Sequence, residues 1–188
     1  MSFLSKILFL SVAFVSPGIA VLAQETNHKW AVVEFSANFM REAPDYAAEL
    51  GDQALMGTVV EILDKSGYWV KIKSPEPYTA WVNEMGLVPM DEKGLMDYLE
   101  APKYICTASL THVYEEPSTD SRIVSDFVLG DIVRILYSAK THTYGRYSGY
   151  EEGRAVLKKH FVGVVLPSGK TGFVPAKDVD VFYKWAKD

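Results

Sequence analysis

Gly57-Thr-Val-Val-Glu-Ile-Leu63, Tyr68-Trp-Val-Lys-Ile-Lys73, Ser74-Pro-Glu-Pro77 and Tyr78-Thr-Ala-Trp-Val82 decide the fold. The first run alternates around β-branched residues, and the second alternates aromatic or apolar with charged side chains. A proline-rich turn then leads into the third run. Alternation of this kind turns one face of each strand to a core and the other to water. Gly86-Leu-Val88 reads as a short closing strand, whereas Arg41 to Gln53 lacks the alternation and reads as a long first loop. About five short strands within roughly sixty residues predict a small, strongly bent barrel, because so short a sheet buries a core only by closing on itself.

The pattern occurs twice. Met40, Pro44, Leu50, Leu55, Gly57, Val60, Ile62 and Leu63 fall on Val113, Pro117, Ile123, Val128, Gly130, Val133, Ile135 and Leu136 at an offset of 73 residues. Trp69, Val70, Ile72, Pro75, Thr79, Trp81, Val82 and Leu87 fall on Phe161, Val162, Val164, Pro167, Thr171, Phe173, Val174 and Val179 at an offset of 92. The matched positions are the apolar, proline and glycine residues that set a backbone. The difference of 19 residues is a single insertion in the second copy, between Leu136 and Phe161. Between the copies, Asp91-Glu-Lys-Gly-Leu-Met-Asp-Tyr-Leu-Glu100 has Leu95 and Leu99 at helical spacing and is stopped by Ala101-Pro102. The expected organisation is all-β: a first barrel over 30–90, a helical linker over 91–103, and a second barrel over 104–182 with a long loop insertion over 137–160.

Ahead of the barrels, residues 1–23 read as an export signal that is removed. Lys6 precedes the apolar run Ile7-Leu-Phe-Leu-Ser-Val-Ala-Phe-Val15, Ser16-Pro17-Gly18 breaks it, and Val21-Leu22-Ala23 offers small or medium residues before Gln24. The run is too short for a stable membrane anchor, so the expected location is periplasmic or extracellular. Lys+Arg 19 against Asp+Glu 24 gives a net charge of -5, a poor balance for binding a phosphate backbone, and no nucleic-acid partner is expected. The single cysteine, Cys106, excludes an intramolecular disulfide and a multi-cysteine metal site. His142 and His160 bracket the insertion, yet no cysteine or carboxylate stands beside them at a recognisable ligand spacing. Neither metal nor cofactor is expected.

Ser36-Ala-Asn-Phe-Met-Arg-Glu-Ala-Pro44, Ala48-Glu-Leu50, Gln53-Ala-Leu-Met-Gly-Thr58 and Tyr78-Thr-Ala-Trp-Val82 together resemble a bacterial SH3-like (SH3b) domain. More narrowly, they resemble the first SH3b domain of secreted NlpC/p60 cell-wall peptidases. Tyr114-Glu-Glu-Pro117, Val124-Ser-Asp126 and Gly130 are similar to the second SH3b domain of those enzymes. The resemblance implies two tandem SH3b barrels placed ahead of a papain-like domain, in a γ-D-glutamyl-L-diamino acid endopeptidase that trims peptidoglycan peptides. Such a catalytic domain needs a cysteine whose thiolate a histidine generates. Cys106 sits instead in the strand-like Tyr104-Ile-Cys-Thr-Ala108 and reads as a core residue. After Phe182 only Tyr183 to Asp188 remain, so no peptidase activity is expected of these residues and no catalytic residue is assigned.

For binding, the resemblance implies that an aromatic hydroxyl of the first barrel helps hold the free amino end of a stem peptide. Tyr78, in Tyr78-Thr-Ala-Trp81, is the matching residue, and a phenol oxygen accepts from an ammonium while its ring packs on a small side chain. The alternative is that Tyr78 merely covers the barrel end. Arg41, at the head of the first loop, and Trp81 complete the candidate ligand-binding set; Trp69 and Trp81 also read as core and rim packing. The insertion carries Lys140, Arg146, Arg154, Lys158 and Lys159 against Glu151 and Glu152, with Tyr137, Tyr144, Tyr147 and Tyr150 interleaved. It reads as an extended solvated hairpin or a contact surface for anionic wall polymer or a partner. The expected function is an exported module that binds peptidoglycan stem peptides or docks a catalytic peptidase domain. The alternatives are the front part of a cysteine endopeptidase and an envelope adaptor or inhibitor.

Overall fold

The computed structural model describes residues 28–138, 154–155, 157–158 and 160–187. The export signal read over 1–23 lies outside the described residues, as does most of the basic, tyrosine-rich insertion.

The first half forms β1 (Trp30–Val33), β2 (Ala37–Arg41), β3 (Leu50–Leu55), β4 (Val59–Ser66), β5 (Trp69–Lys73), β6 (Thr79–Asn83) and β7 (Leu87–Met90), hydrogen-bonded in the order β3-β2-β6-β5-β4-β1-β7. Ala31, Val33, Met40, Val60, Val70, Ile72, Ala80 and Val82 alternate inward along these strands and make the core. Between β6 and β7 the chain makes one 3-10 turn, Glu84–Gly86, which the Asn83 side chain caps by accepting from the Met85 N–H at 2.9 Å.

Seven strands replace the five expected, and the reading of Arg41 to Gln53 as loop is corrected. Residues 50–55 are strand, paired with β2 from Ala37↔Leu55 to Arg41↔Leu50, leaving 42–49 as the loop. β3 lies at the end of the strand order and its first four residues are all exposed, so no apolar alternation marks it in the sequence.

Helix α1 (Glu92–Glu100) follows, opened by the Asp91 carboxylate accepting from the Gly94 N–H at 2.7 Å. Its buried stripe is Leu95 and Tyr98, three apart, while Leu99 faces solvent. The second half forms β8 (Lys103–Cys106), β9 (Leu110–Tyr114), β10 (Ile123–Val128), β11 (Ile132–Ile135), the short β12 (Tyr137–Ser138), β13 (Arg154–Ala155) and β14 (Leu157–Lys158), then β15 (Phe161–Val165), β16 (Thr171–Pro175) and β17 (Val179–Val181). Its main path is β10-β9-β16-β15-β11-β8-β17. Strand by strand this is the order of the first barrel. β8 to β11 begin 73 residues after β1 to β4, and β15 to β17 begin 92 residues after β5 to β7. A short helix, α2 (Phe182–Trp185), closes the described chain.

The two barrels are joined by more than the helix. Met56 is fully buried within the second barrel's core. Its carbonyl accepts from the Ile132 N–H at 3.0 Å, and its own N–H donates to the Asp131 carboxylate at 3.0 Å. Tyr98 of α1 donates its hydroxyl to the Gly57 carbonyl at 3.1 Å, and Ser168 donates both its N–H and hydroxyl to the Glu34 carboxylate at 2.8 and 2.6 Å. Gly57 (φ 88) and Gly130 (φ 92), equivalent in the repeat, turn the chain in the left-handed region on either side of this junction. A Cβ on Gly57 would stand 2.2 Å from the Ile132 carbonyl oxygen, so the close approach of the barrels itself requires glycine there.

Candidate functional site

The candidate site lies on one rim of the first barrel. β2 and β6 bring Arg41 opposite Trp81 in their pairing, and Tyr78 stands just before β6. The Tyr78 hydroxyl donates to Glu42 Oε1 at 2.5 Å. Both groups lie across Gly51 of β3, where an added Cβ would meet the Tyr78 hydroxyl at 2.1 Å and Glu42 Oε1 at 2.8 Å. The glycine is therefore what lets phenol and carboxylate meet. The hydrogen bond to Glu42 is the main cause holding the Tyr78 phenol above its ordinary pKa, with burial and the charges of Glu42, Asp52 and Glu49 adding in the same direction. The phenol stays neutral at neutral pH.

Arg41 uses its guanidinium within the loop, donating from Nη1 to the Ala48 carbonyl at 2.6 Å. It thereby shapes the segment that carries Glu42. Trp81 is half-buried beside Arg41, with Lys71 Nζ 6.0 Å from its ring centroid. The arrangement joins a carboxylate and a phenol oxygen beside an acidic loop, a pair suited to a primary ammonium. Glu42 is the residue that sequence reading missed. Its only signal was adjacency to Arg41, because its pairing with Tyr78 spans 36 residues.

A second feature adjoins this rim. Phe35, Phe39, Tyr46, Trp69 and Met85 line a cleft of about 320 Å³ together with Arg41, Asn38 and Asn83. Cys106 lies elsewhere, fully buried in the second barrel, with its thiol donating to the Ala108 carbonyl at 3.3 Å and pushed up to about 11 chiefly by burial. Among the described histidines, His112 packs its Nδ1 3.2 Å from Asp126 Oδ1, and His160 is exposed at φ 68.

Residues 36–88 match the bacterial SH3 domain family. The match takes in the strands of the first barrel from β2 through β6 and the candidate site with them. Among solved structures, the chain is similar to an NlpC/P60 family protein from Bacillus cereus ATCC 10987, at 18% identity and a TM-score of 0.60, covering 81% of this chain and 56% of that one. It is also similar to an NlpC/P60 endopeptidase from Photobacterium damselae subsp. piscicida, at 11% identity and a TM-score of 0.49, covering 82% of this chain and 33% of that one. The chain thus spans a little over half the length of the Bacillus cereus protein. No curated protein matches the sequence. The SH3 assignment and the shared strand order make both halves SH3-like barrels, as the alternating strands predict.

Proposed function

We propose that this chain is an exported cell-wall module whose first SH3 barrel holds the free amino end of a peptidoglycan stem peptide between Glu42 and Tyr78. The single observation that carries the reading is the Glu42–Tyr78 pair seated over Gly51. An incoming ammonium replaces the Tyr78 hydroxyl as donor to Glu42, and the freed hydroxyl then offers its lone pairs to the same cation. A charged acceptor for a charged donor makes the stronger hydrogen bond, so the exchange favours a cationic ligand. Trp81 supplies a wall for the first side chain of the peptide, and Arg41 holds the loop through Ala48.

The test is isothermal titration of the mature chain with muropeptides that have a free amino terminus. Binding is expected for the wild type, with affinity lowered about tenfold by Glu42→Gln, the effect of losing one charge-assisted hydrogen bond. N-acetylation of the peptide removes the ammonium and is expected to abolish the heat. Equal binding of free and acetylated peptide would sink the reading.

A second reading is supported by the relation in length to the Bacillus cereus protein, of which this chain covers 56%. The paired barrels then serve a catalytic peptidase domain. Mixing this chain with an NlpC/P60 catalytic domain tests it. An increase in turnover of a muropeptide substrate is expected, and unchanged turnover overturns it.

A further inference from the structure

We propose that the cleft between the end of α1 and the second barrel binds the zwitterionic head of an α-amino acid, its carboxylate on Arg134 and its ammonium at Asp97 and Glu100. This goes beyond the recognition of an amino terminus at Glu42 and Tyr78, and it rests on different residues in the other half of the molecule.

Two cations stand together here that the fold does not require. Arg134 of β11 lies directly opposite Lys103 of β8 in the sheet. Like charges at opposed positions of a strand pair repel and cost stability. The first barrel, with the same strand order, puts Trp30 opposite Glu61 at the equivalent positions, so the frame closes without two cations. Both cations lie over the Tyr98 ring, with Lys103 Nζ 4.8 Å and the Arg134 guanidinium carbon 5.9 Å from its centroid.

The two differ in what they have left to offer. Lys103 Nζ donates to the Leu99 and Ala101 carbonyls at 3.0 and 2.8 Å and so closes the end of α1. Its pKa is lowered to about 8, chiefly by burial, with the charge of Arg134 adding in the same direction. Arg134 Nε, by contrast, is shielded from solvent and has no hydrogen-bond partner among the described residues. A shielded guanidinium donor without an acceptor, beside a second cation, is a site short of one anion.

The chemistry of the ligand follows from the rest of the lining. The cleft has a volume of about 350 Å³, and Asp97 and Glu100 line it together with Arg134 and the apolar Pro102, Ile135 and Val165. Asp97 holds Lys93 at 2.5 Å in a pair that is exposed at both ends, a contact worth little in water, so its carboxylate stays available. A guanidinium takes a carboxylate through two parallel N–H donors. The two acids of α1 repel a bare anion such as phosphate and attract an ammonium. An α-amino acid answers both demands, because its carboxylate and ammonium share one carbon, and the apolar walls accept an aliphatic side chain.

The test uses the isotope-labelled mature chain with leucine as the probe, read by the Nε–Hε resonance of Arg134 and the amides of Ala101 and Ile135. Saturable shifts are expected with leucine. Isocaproate, which lacks the amino group, and isoamylamine, which lacks the carboxyl group, are each expected to bind about tenfold more weakly or worse. Arg134→Gln is expected to lose leucine binding, read by the two amides. Asp97→Asn combined with Glu100→Gln is expected to weaken leucine about tenfold while isocaproate binding is kept or strengthened. Circular dichroism of that double variant is expected to match the wild type, since both side chains are exposed. Should Arg134→Gln fail to fold, the double variant and the ligand series decide by themselves. Equal binding of leucine and isocaproate would overturn the proposal, as would stronger binding of inorganic phosphate than of leucine, or absent shifts at tens of millimolar leucine. Muropeptide titration of Glu42→Gln reads the first barrel, so failure there leaves this result independent.

Discussion

Glu42 and Glu115 stand at equivalent positions in the two barrels, and their surroundings differ at three neighbouring places. The place of Gly51 is taken by Val124, that of Tyr78 by Lys170 and that of Glu49 by Arg122. In the second barrel Arg122 closes on Glu115 through two hydrogen bonds of 3.0 and 2.9 Å, and that contact is the main cause lowering the carboxylate's pKa. In the first barrel the carboxylate faces a neutral phenol instead. The same rim carboxylate is thus paired with a charged guanidinium in one copy and with a neutral phenol in the other. Strand order and core positions are shared, so the proposed recognition rests on short-range substitutions on a common frame.

The comparison breaks most readily at the junction. Gly57 and Gly130 are equivalent and both have positive φ, but a Cβ on Gly57 runs into the Ile132 backbone while one on Gly130 meets the end of the Leu55 side chain at 3.0 Å. Gly57→Ala is expected to cost about 3 kcal/mol or more and Gly130→Ala about half that, measured by urea denaturation. Equal costs would show that the barrels do not bear on each other at this contact.

Asp131 gives the next effect. It is fully buried, and its Oδ1 and Oδ2 accept from the Met56 and Val128 N–H groups at 3.0 and 2.7 Å. Burial nevertheless pushes its pKa up from 3.8 to about 7. Between those values the unfolded chain has lost the proton that the folded chain keeps, so this group makes stability fall as pH rises from about 4 to about 7, with no further loss above. The position of Asp131 is held by Thr58 in the first barrel, which has no such titration. Asp131→Asn is expected to flatten the slope of unfolding free energy against pH over that window, and an unchanged slope would refute the assignment.

A smaller effect sharpens the functional contrast. Gly51→Val, which copies the second barrel, is expected to displace Tyr78 from Glu42 and to reduce muropeptide affinity about tenfold, read by titration. The smallest effect is expected at Arg122→Ala. Its pair with Glu115 is exposed at both ends, so the melting temperature should stay unchanged within the error of a thermal scan.

Much of the frame was legible in the sequence because strand alternation and repeated glycines are local signals. Val60, Ile62, Val70 and Ile72 announced their strands, and the offsets of 73 and 92 recur in the strand starts. β3 was not legible because its outer residues have no buried face, and Leu99 misled because Tyr98 faces the junction instead. Tyr78 was singled out from its motif, but Glu42 and Gly51 were not, since each acts only through a partner distant in sequence.

What the sequence determined by itself was the class of the fold, its duplication and the site of the insertion, all carried by periodic patterns of residue type. Tertiary structure alone decided which carboxylate meets Tyr78, how Asn83 braces two walls of an aromatic cleft, and that Met56 belongs to the second barrel's core. Those facts depend on contacts between segments 36 to 75 residues apart, and the closed barrels and their junction bring such segments together where no local periodicity can.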